Sequence, residues 1–362
     1  MKKWAKSLTI LAVLFLIFGI FIQSVYADKE ELEKIKQAIK EKGAKWDADE
    51  TSVSELPDDQ FKMMLGAIFP TEPSKGAKTR TMGVTTPTSL DWRSNGGNYV
   101  TSVKNQGSCG SCWAFGTIAS AESLDMIAHN NPVIRVKGKA VDPIDLSEQD
   151  LVSCCSHTDA EYPGWNKCDS CLGCDPYWAY EYLKTTGVPG ESCFPYADSN
   201  TAETPTSIPC ITTCPVLVHI VDWSVLTQGV DSLEGAVLTH PIPVGFNVYS
   251  DFGYYRSGVY QHVSGVLRGG HMVCLIGWNN NPPPEGKGKN SFTPPPYFIC
   301  KNSWGSWGES GFFRIAQSET GPDTLVNFGA RAADFSLEGL APPKLAKPAA
   351  VVTLWGSIKS SY

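Results

Sequence analysis

Beyond its first 22 residues, this 362-residue chain has no second long apolar run, and so no further membrane span. It also lacks any basic run. Its 30 Lys and Arg face 37 Asp and Glu, the net charge is −7, and nucleic acid is not an expected partner. The first residues read as an export signal. Lys2, Lys3 and Lys6 precede an apolar run from Leu8 to Ile22, and Val25-Tyr-Ala27 offers small residues for cleavage. A signal peptide over 1–27 is expected; the alternative is an uncleaved anchor, because the run is only slightly short of a span. Twelve cysteines behind such a signal imply an oxidising compartment.

The richest stretch is Gln106-Gly-Ser-Cys-Gly-Ser-Cys-Trp-Ala-Phe-Gly116. Cys112 opens a helix-compatible run from Trp113 to Ile127, which puts a thiol at the positive end of a helix dipole. Gln106 can return a side-chain amide to the same point, and Gly107 and Gly110 allow a tight loop and close approach of another chain. A structural disulfide loop with a buried free thiol is the alternative for a lone Cys-X-X-Cys. Far downstream, Gly269-Gly-His-Met-Val-Cys-Leu-Ile-Gly-Trp278 alternates as a strand with His271 near its start. A second strand, Tyr297-Phe-Ile-Cys-Lys, ends at Asn302, whose amide can orient an imidazole, with Trp304 as a shield.

Cys112, followed well over a hundred residues later by His271 and then Asn302, resembles the papain family of cysteine proteases. Leu90-Asp-Trp-Arg93 and Leu146-Ser-Glu-Gln-Asp-Leu-Val-Ser-Cys154 extend the likeness. Pro241-Ile-Pro-Val-Gly-Phe-Asn-Val-Tyr249, Tyr255-Arg-Ser-Gly-Val-Tyr-Gln-His262 and Gly269-Gly-His271 look like cathepsin B in particular. The resemblance covers roughly residues 88–335. It implies an α+β, two-lobed papain-like fold, with a helical left lobe (about 100–215), a β-barrel-like right lobe (about 216–335) and a cleft between them. It implies Cys112, His271, Asn302 and Gln106 as catalytic residues, with Gly110, Trp304 and Gly270 along the cleft. A monomer acting on protein or peptide substrates is expected, without metal or cofactor and without stable membrane association after signal removal. The expected location is extracellular or another oxidising exported compartment, periplasmic or lysosome-like.

Residues 28–83 read as an inhibitory propeptide, ahead of a catalytic domain at 84–335. Leu32, Ile35, Ala38 and Ile39 share one helical face that stops at Gly43, Trp46 follows, and Leu65-Gly66 resembles the cathepsin B propeptide. Its carboxylates Glu30, Glu31, Glu33, Asp47 and Asp49 suggest release at acidic pH. Pro70 to Ala77 reads as a turn-rich linker, and 336–362 as a Pro- and Ala-rich tail of no assigned role.

For the cysteines, the resemblance suggests Cys109–Cys174, Cys154–Cys210 and Cys193–Cys214, with Cys155 closing a small loop to Cys168 or Cys171. Cys168, Cys171 and Cys174 also permit a metal cluster, but an oxidising compartment favours bridges. Cys274 and Cys300 are either a cross-strand bridge or two buried thiols. The family's Gly-Cys-Asn-Gly-Gly is here Gly173-Cys-Asp-Pro-Tyr177, so the cleft wall is altered. No paired histidines lie between Cys193 and Cys214, which favours an endopeptidase. The expectation is thus an exported cysteine endopeptidase made as a zymogen. The other classes are an acyltransferase or transpeptidase on the same fold, and a catalytically silent extracellular binding protein.

Overall fold

The computed structural model describes residues 29–69, 78–80, 85–155, 168, 170–197, 208–286 and 291–337. The expected signal peptide, the 70–77 linker and nearly all of the tail lie outside them. Helix α1 spans 29–42. It buries Leu32 and Ile35, half-buries Ala38 and Ile39, and ends where Gly43 turns with φ +67°. Strand β1 (Lys45–Ala48), helix α2 (Asp58–Met63) and strand β2 (Thr79–Arg80) complete the N-terminal segment. After β3 (Ser89–Asp91) comes α3 (Cys112–Ala128), then a hairpin of β4 (Ile134–Val136) and β5 (Lys139–Val141). Helix α4 (Glu148–Cys154) is capped by the Ser147 hydroxyl, which accepts from Asp150 N–H at 3.0 Å. Helix α5 (Pro176–Thr185) is capped by Asp175.

The rest is strand-rich: β6 (Val188–Pro189), β7 (Val216–Val218), β8 (Asp222–Leu226), helix α6 (Val230–Val237), β9 (Ile242–Tyr249), β10 (Tyr255–Tyr260), β11 (Leu267–Asn279), β12 (Tyr297–Lys301), β13 (Phe312–Ala316) and β14 (Ala333–Ser336). Seven strands form the main sheet in the order β1-β10-β13-β12-β11-β3, with β9 also paired to β11. Two strands of the N-terminal segment extend the sheets: β1 pairs antiparallel with β10, and β2 pairs parallel with β8. Trp46 on β1 lies over Tyr255 and Tyr260, at ring-centroid distances of 6.2 and 5.3 Å.

Two apolar cores flank α3. One is built from the main sheet and its aromatic residues; the other from α3, α4 and α5. Buried from Cys112 through Leu124, α3 is apolar or small on every face except at Glu122, whose carboxylate accepts from Leu146 N–H at 2.9 Å. Its hydroxyls are satisfied inside, Thr117 donating to Trp113 O at 2.7 Å and Ser120 to Pro241 O at 2.8 Å. Gly116 permits the approach of β11, since a Cβ there would meet Val273 O at 3.2 Å.

The expected lobe boundaries need correction. Ser89–Asp91 joins the main sheet through β11, so the start of the catalytic region lies with the β lobe. Val218, Ile220 and Trp223, with Phe335 from the far end, pack into the helical core, because β7 pairs with β6 and β8 with β14. Each end of the catalytic region thus crosses to the other lobe.

Candidate active site

Cys112 is the first residue of α3 and is wholly buried. Backbone hydrogen bonds from Met272, Gly66, Ala67 and Trp113 favour its thiolate, but burial outweighs them and pushes the thiol up to about 11. Met272 follows His271 on β11, so the strand that touches the sulfur also carries the imidazole. His271 Nε2 lies 2.8 Å from Asn302 Oδ1, an oxygen that also accepts from Ser303 N–H at 2.8 Å. An acceptor there means that Nε2 carries the proton, which leaves Nδ1 as the basic nitrogen. Nδ1 has no hydrogen-bond partner among the described residues. Trp304 covers the ring at 4.6 Å between centroids, and Phe246 meets it edge-on at 5.8 Å. Burial lowers His271 to about 4, against the opposing effect of its hydrogen bond to Asn302 Oδ1. Both groups therefore rest in their neutral forms here.

Gln106 is held by the turn it belongs to. Its N–H donates to Ser303 O at 2.9 Å, and Ser303 Oγ donates to its Oε1 at 2.7 Å. With the amide fixed in that sense, Nε2 donates to Cys109 O at 2.7 Å and to Met64 O at 2.9 Å. Tyr196 supports the loop from beneath, donating to Gln106 O and touching Ser111 Oγ, both at 2.8 Å.

The N-terminal segment runs through this site. Phe61 lies edge-on to Trp304, Gly66 and Ala67 lie over Cys112, and Phe69 reaches Gly245 and Gly270. Ala67 N–H donates to Gly270 O at 3.1 Å, Cys174 N–H to Gly66 O at 2.9 Å, and Ile68 N–H to Cys174 O at 3.0 Å. The bridge of Ala67 to Cys174 is parallel. The expected cleft residues Gly110, Gly270 and Trp304 all meet this segment. Added Cβ atoms at Gly110 and Gly270 would lie 3.0 Å from Met63 O and 2.1 Å from Ala67 O.

Cysteine pairing partly departs from expectation. Cys154 is bonded to Cys210 and Cys193 to Cys214. Cys109, however, is bonded to Cys171 rather than to Cys174. The short turn Ser170–Leu172 sits against Gly110, whose N–H donates to Cys171 O at 3.0 Å, and this sets the Cα atoms of Cys109 and Cys171 4.7 Å apart. Three residues on, Cys174 forms the cleft wall with its main chain, and its sulfur is bonded to Cys168. Cys155, expected to bond Cys168 or Cys171, is an unbonded, buried thiol. So are Cys274 and Cys300. Their strands pair Cys274 with Lys301 and Cys300 with Leu275, a one-residue stagger that turns the two side chains to opposite faces.

The papain family cysteine protease profile matches residues 86–327. The chain belongs to that family. Cathepsin B-like CP2 of Giardia intestinalis is 31% identical over 274 residues, which span 72% of this chain and 80% of the relative. Pro-cathepsin H of Bos taurus is 34% identical over 242 residues, 64% and 61% of the respective chains. Among solved structures, the recombinant stem bromelain precursor superposes with a TM-score of 0.63 at 26% identity, covering 86% of this chain and 90% of its own. ProCathepsin B of Trypanosoma congolense, with a TM-score of 0.65 and 22% identity over 85% and 97% of the chains, shares the fold. The protein is a papain-like cysteine peptidase with an α+β fold, similar in several segments to cathepsin B.

Sequence reasoning missed Ser303 and Tyr196. Ser303 follows Asn302 directly, so the motif contained it unread. Tyr196 carries no local signal, because its role depends on where the chain returns after α5.

Proposed function

We propose that this chain is the zymogen of an exported cysteine endopeptidase, with a signal peptide at 1–27, a propeptide at 28–83, a catalytic domain at 84–335 and a tail at 336–362. One observation carries the proposal: the Gln106 amide and Cys112 both meet main chain of residues 64–67, where a substrate's scissile bond would lie. The family's substrates run antiparallel to the wall, whereas this segment runs parallel to it. A reversed chain occupies the cleft without offering Cys112 a carbonyl in productive register. The bromelain precursor likeness, reaching 86% of the chain, against 70% for the bromelain protease, supports the same division.

Once the segment leaves, water reaches the pair and a proton passes from the Cys112 thiol to His271 Nδ1. The thiolate attacks the scissile carbonyl carbon. The developing oxyanion takes hydrogen bonds from Gln106 Nε2 and Cys112 N–H. His271 gives its Nδ1 proton to the leaving amine, then takes one from the water that hydrolyses the thioester and returns Cys112. Asn302 keeps the ring in the required tautomer. Phe69 packs against Gly245 and Gly270, where Cβ atoms would come within 2.6 and 2.8 Å of its ring, so the substrate residue bound there is large and apolar. An epoxide-type thiol inhibitor should label Cys112 of the matured protein and not of Cys112→Ala. Absence of labelling and of peptide hydrolysis after removal of residues 28–83 refutes the reading.

A further inference from the structure

Arg268 stands three residues before His271, where β11 slips in register against β9. Leu267 faces Tyr249 and Gly269 faces Val248, so Arg268 is the extra, unpaired residue. A bulge of this kind turns a side chain off the alternation of its strand. Here the guanidinium meets α2, where Nη1 is ion-paired with Asp58. Arg268 has no other ion pair among the described residues, and its Nε–H is buried without an acceptor. Asp58 is also held by Lys62 of its own helix at 2.8 Å, so both groups leave with the N-terminal segment and Arg268 keeps neither. We propose that Arg268 selects an acidic residue among the first two after the scissile bond, and that Asp58 fills that place in the zymogen.

The side of the bond follows from the two arms of the cleft. From Gly66 onward the segment lies on the wall, with Gly66 and Ile68 bonded to Cys174. Before that it lies on the other arm, where Phe61 meets Trp304 and Leu65 lies over Gly269. Trp304 covers His271, the group that protonates the leaving amine in the reading above. The arm at Trp304 and Arg268 therefore receives the residues that depart with the amine. The wall receives those that stay on Cys112 as the thioester. This inference rests on that reading of Cys112 and His271.

Reach and chemistry both favour glutamate. At roughly 3.3 Å per residue, Arg268 stands about 10 Å along the strand from His271, within reach of one or two extended residues and a long side chain. A guanidinium takes a carboxylate through two parallel N–H groups and keeps its charge throughout the working pH range. Asp58, fixed by its helix turn, engages Nη1 and leaves Nε–H unspent. A Glu side chain on a mobile substrate can face both. Gln in the same place offers an oxygen without the charge, so a Glu–Gln comparison isolates the ion pair.

The test uses matured enzyme and internally quenched peptides that are identical before the scissile bond. They carry Glu, Gln or Lys at the first or second position after it. At one of these positions kcat/KM should be about fivefold or more higher for Glu than for Gln in low salt, and lowest for Lys. Arg268→Gln should bring the Glu/Gln ratio to about one, Arg268→Lys should keep part of it, and Arg268→Glu should invert the order of Glu and Lys. Each ratio is taken within one preparation, so partial loss of folding cancels. Equal rates for Glu and Gln at both positions in the native enzyme overturn the proposal, as does a preference that survives Arg268→Gln. In a peptide of residues 28–81, Asp58→Asn should weaken inhibition of the native enzyme and not of Arg268→Gln; equal weakening of both removes Asp58 from the site. A dye amide with no residue after the bond reads the chemistry alone. Cleavage of that amide without any Glu preference ends the selection by Arg268 only, whereas failure to cleave the amide and every peptide ends the proposed function and this inference with it.

Discussion

Gly66 is the residue on which the hold of the N-terminal segment should depend most. A Cβ there would lie 1.7 Å from Gly110 O, where real contacts stay beyond about 3 Å. Gly110 cannot give way, because Cys109 beside it is bonded to Cys171 and its own N–H is committed to Cys171 O. The segment must therefore retreat by roughly an ångström or more. That distance breaks Cys174 N–H to Gly66 O, Ala67 N–H to Gly270 O and Gln106 Nε2–H to Met64 O, which stand at 2.9, 3.1 and 2.9 Å. At about 1 kcal/mol each, the loss is about 3 kcal/mol, or roughly a hundredfold in affinity. The assay is inhibition of matured enzyme by a peptide of residues 28–81, native against Gly66→Ala. The change sits in the inhibitor alone, so the enzyme's folding and chemistry stay constant between arms. Inhibition within about threefold of the native peptide would refute the idea that residues 64–67 lie on the nucleophile.

Gln106→Ala should lower kcat by about 2–4 kcal/mol of transition-state stabilisation; a change confined to KM means that the amide is not an oxyanion donor. Asn302→Ala should cost less turnover than loss of Cys112 or His271, as the ring keeps its chemistry but loses its orientation; equal losses contradict this. Cys109→Ser opens a bridge spanning 62 residues of sequence, which is worth up to about 4 kcal/mol on the loop-entropy account, and an unchanged melting temperature would show that the bridge does not form. In the zymogen, with Cys112 near 11, alkylation by a small neutral reagent should keep rising about tenfold per pH unit to about pH 10; a plateau below pH 8 shows a preformed ion pair. His271 is lowered from 6.5 to about 4 under the segment. If release returns His271 to 6.5 with Cys112 still protonated, the open site binds more protons than the closed one between those values, and closure, complete above pH 6.5, weakens as pH falls toward 4 by up to ~3 kcal/mol. Maturation should accelerate across that window, and a flat rate from pH 7 to 4 counts against it.

Cys112, His271 and Asn302, which the structure brings to one site, could be singled out because each sits beside a local pattern: glycines and a helix start at Cys112, and strand alternation near His271 and before Asn302. The fold class followed from the family resemblance that those residues carry. What stayed hidden was anything set by a distant partner. Three cysteines at a three-residue spacing are equivalent by count, and only the turn against Gly110 selects Cys171 for Cys109 and sends Cys174 into the wall. The lobe boundary failed likewise, since strands that look like β-lobe material are claimed by apolar partners on α5.

Acid sensitivity shows the same asymmetry. The carboxylates of the N-terminal segment are conspicuous in the sequence, yet Glu30 is fully exposed and held down only by Lys34 of its own helix. A group whose surroundings are the same before and after release contributes nothing to the pH dependence of release. His271 is wholly buried and lowered with the segment in place, so proton uptake at this one imidazole on release would outweigh the acidic face that the sequence displays. Replacing Glu30, Glu31 and Glu33 together by Gln should therefore leave the acid dependence of maturation in place. A profile that flattens in that variant would return the switch to the carboxylates.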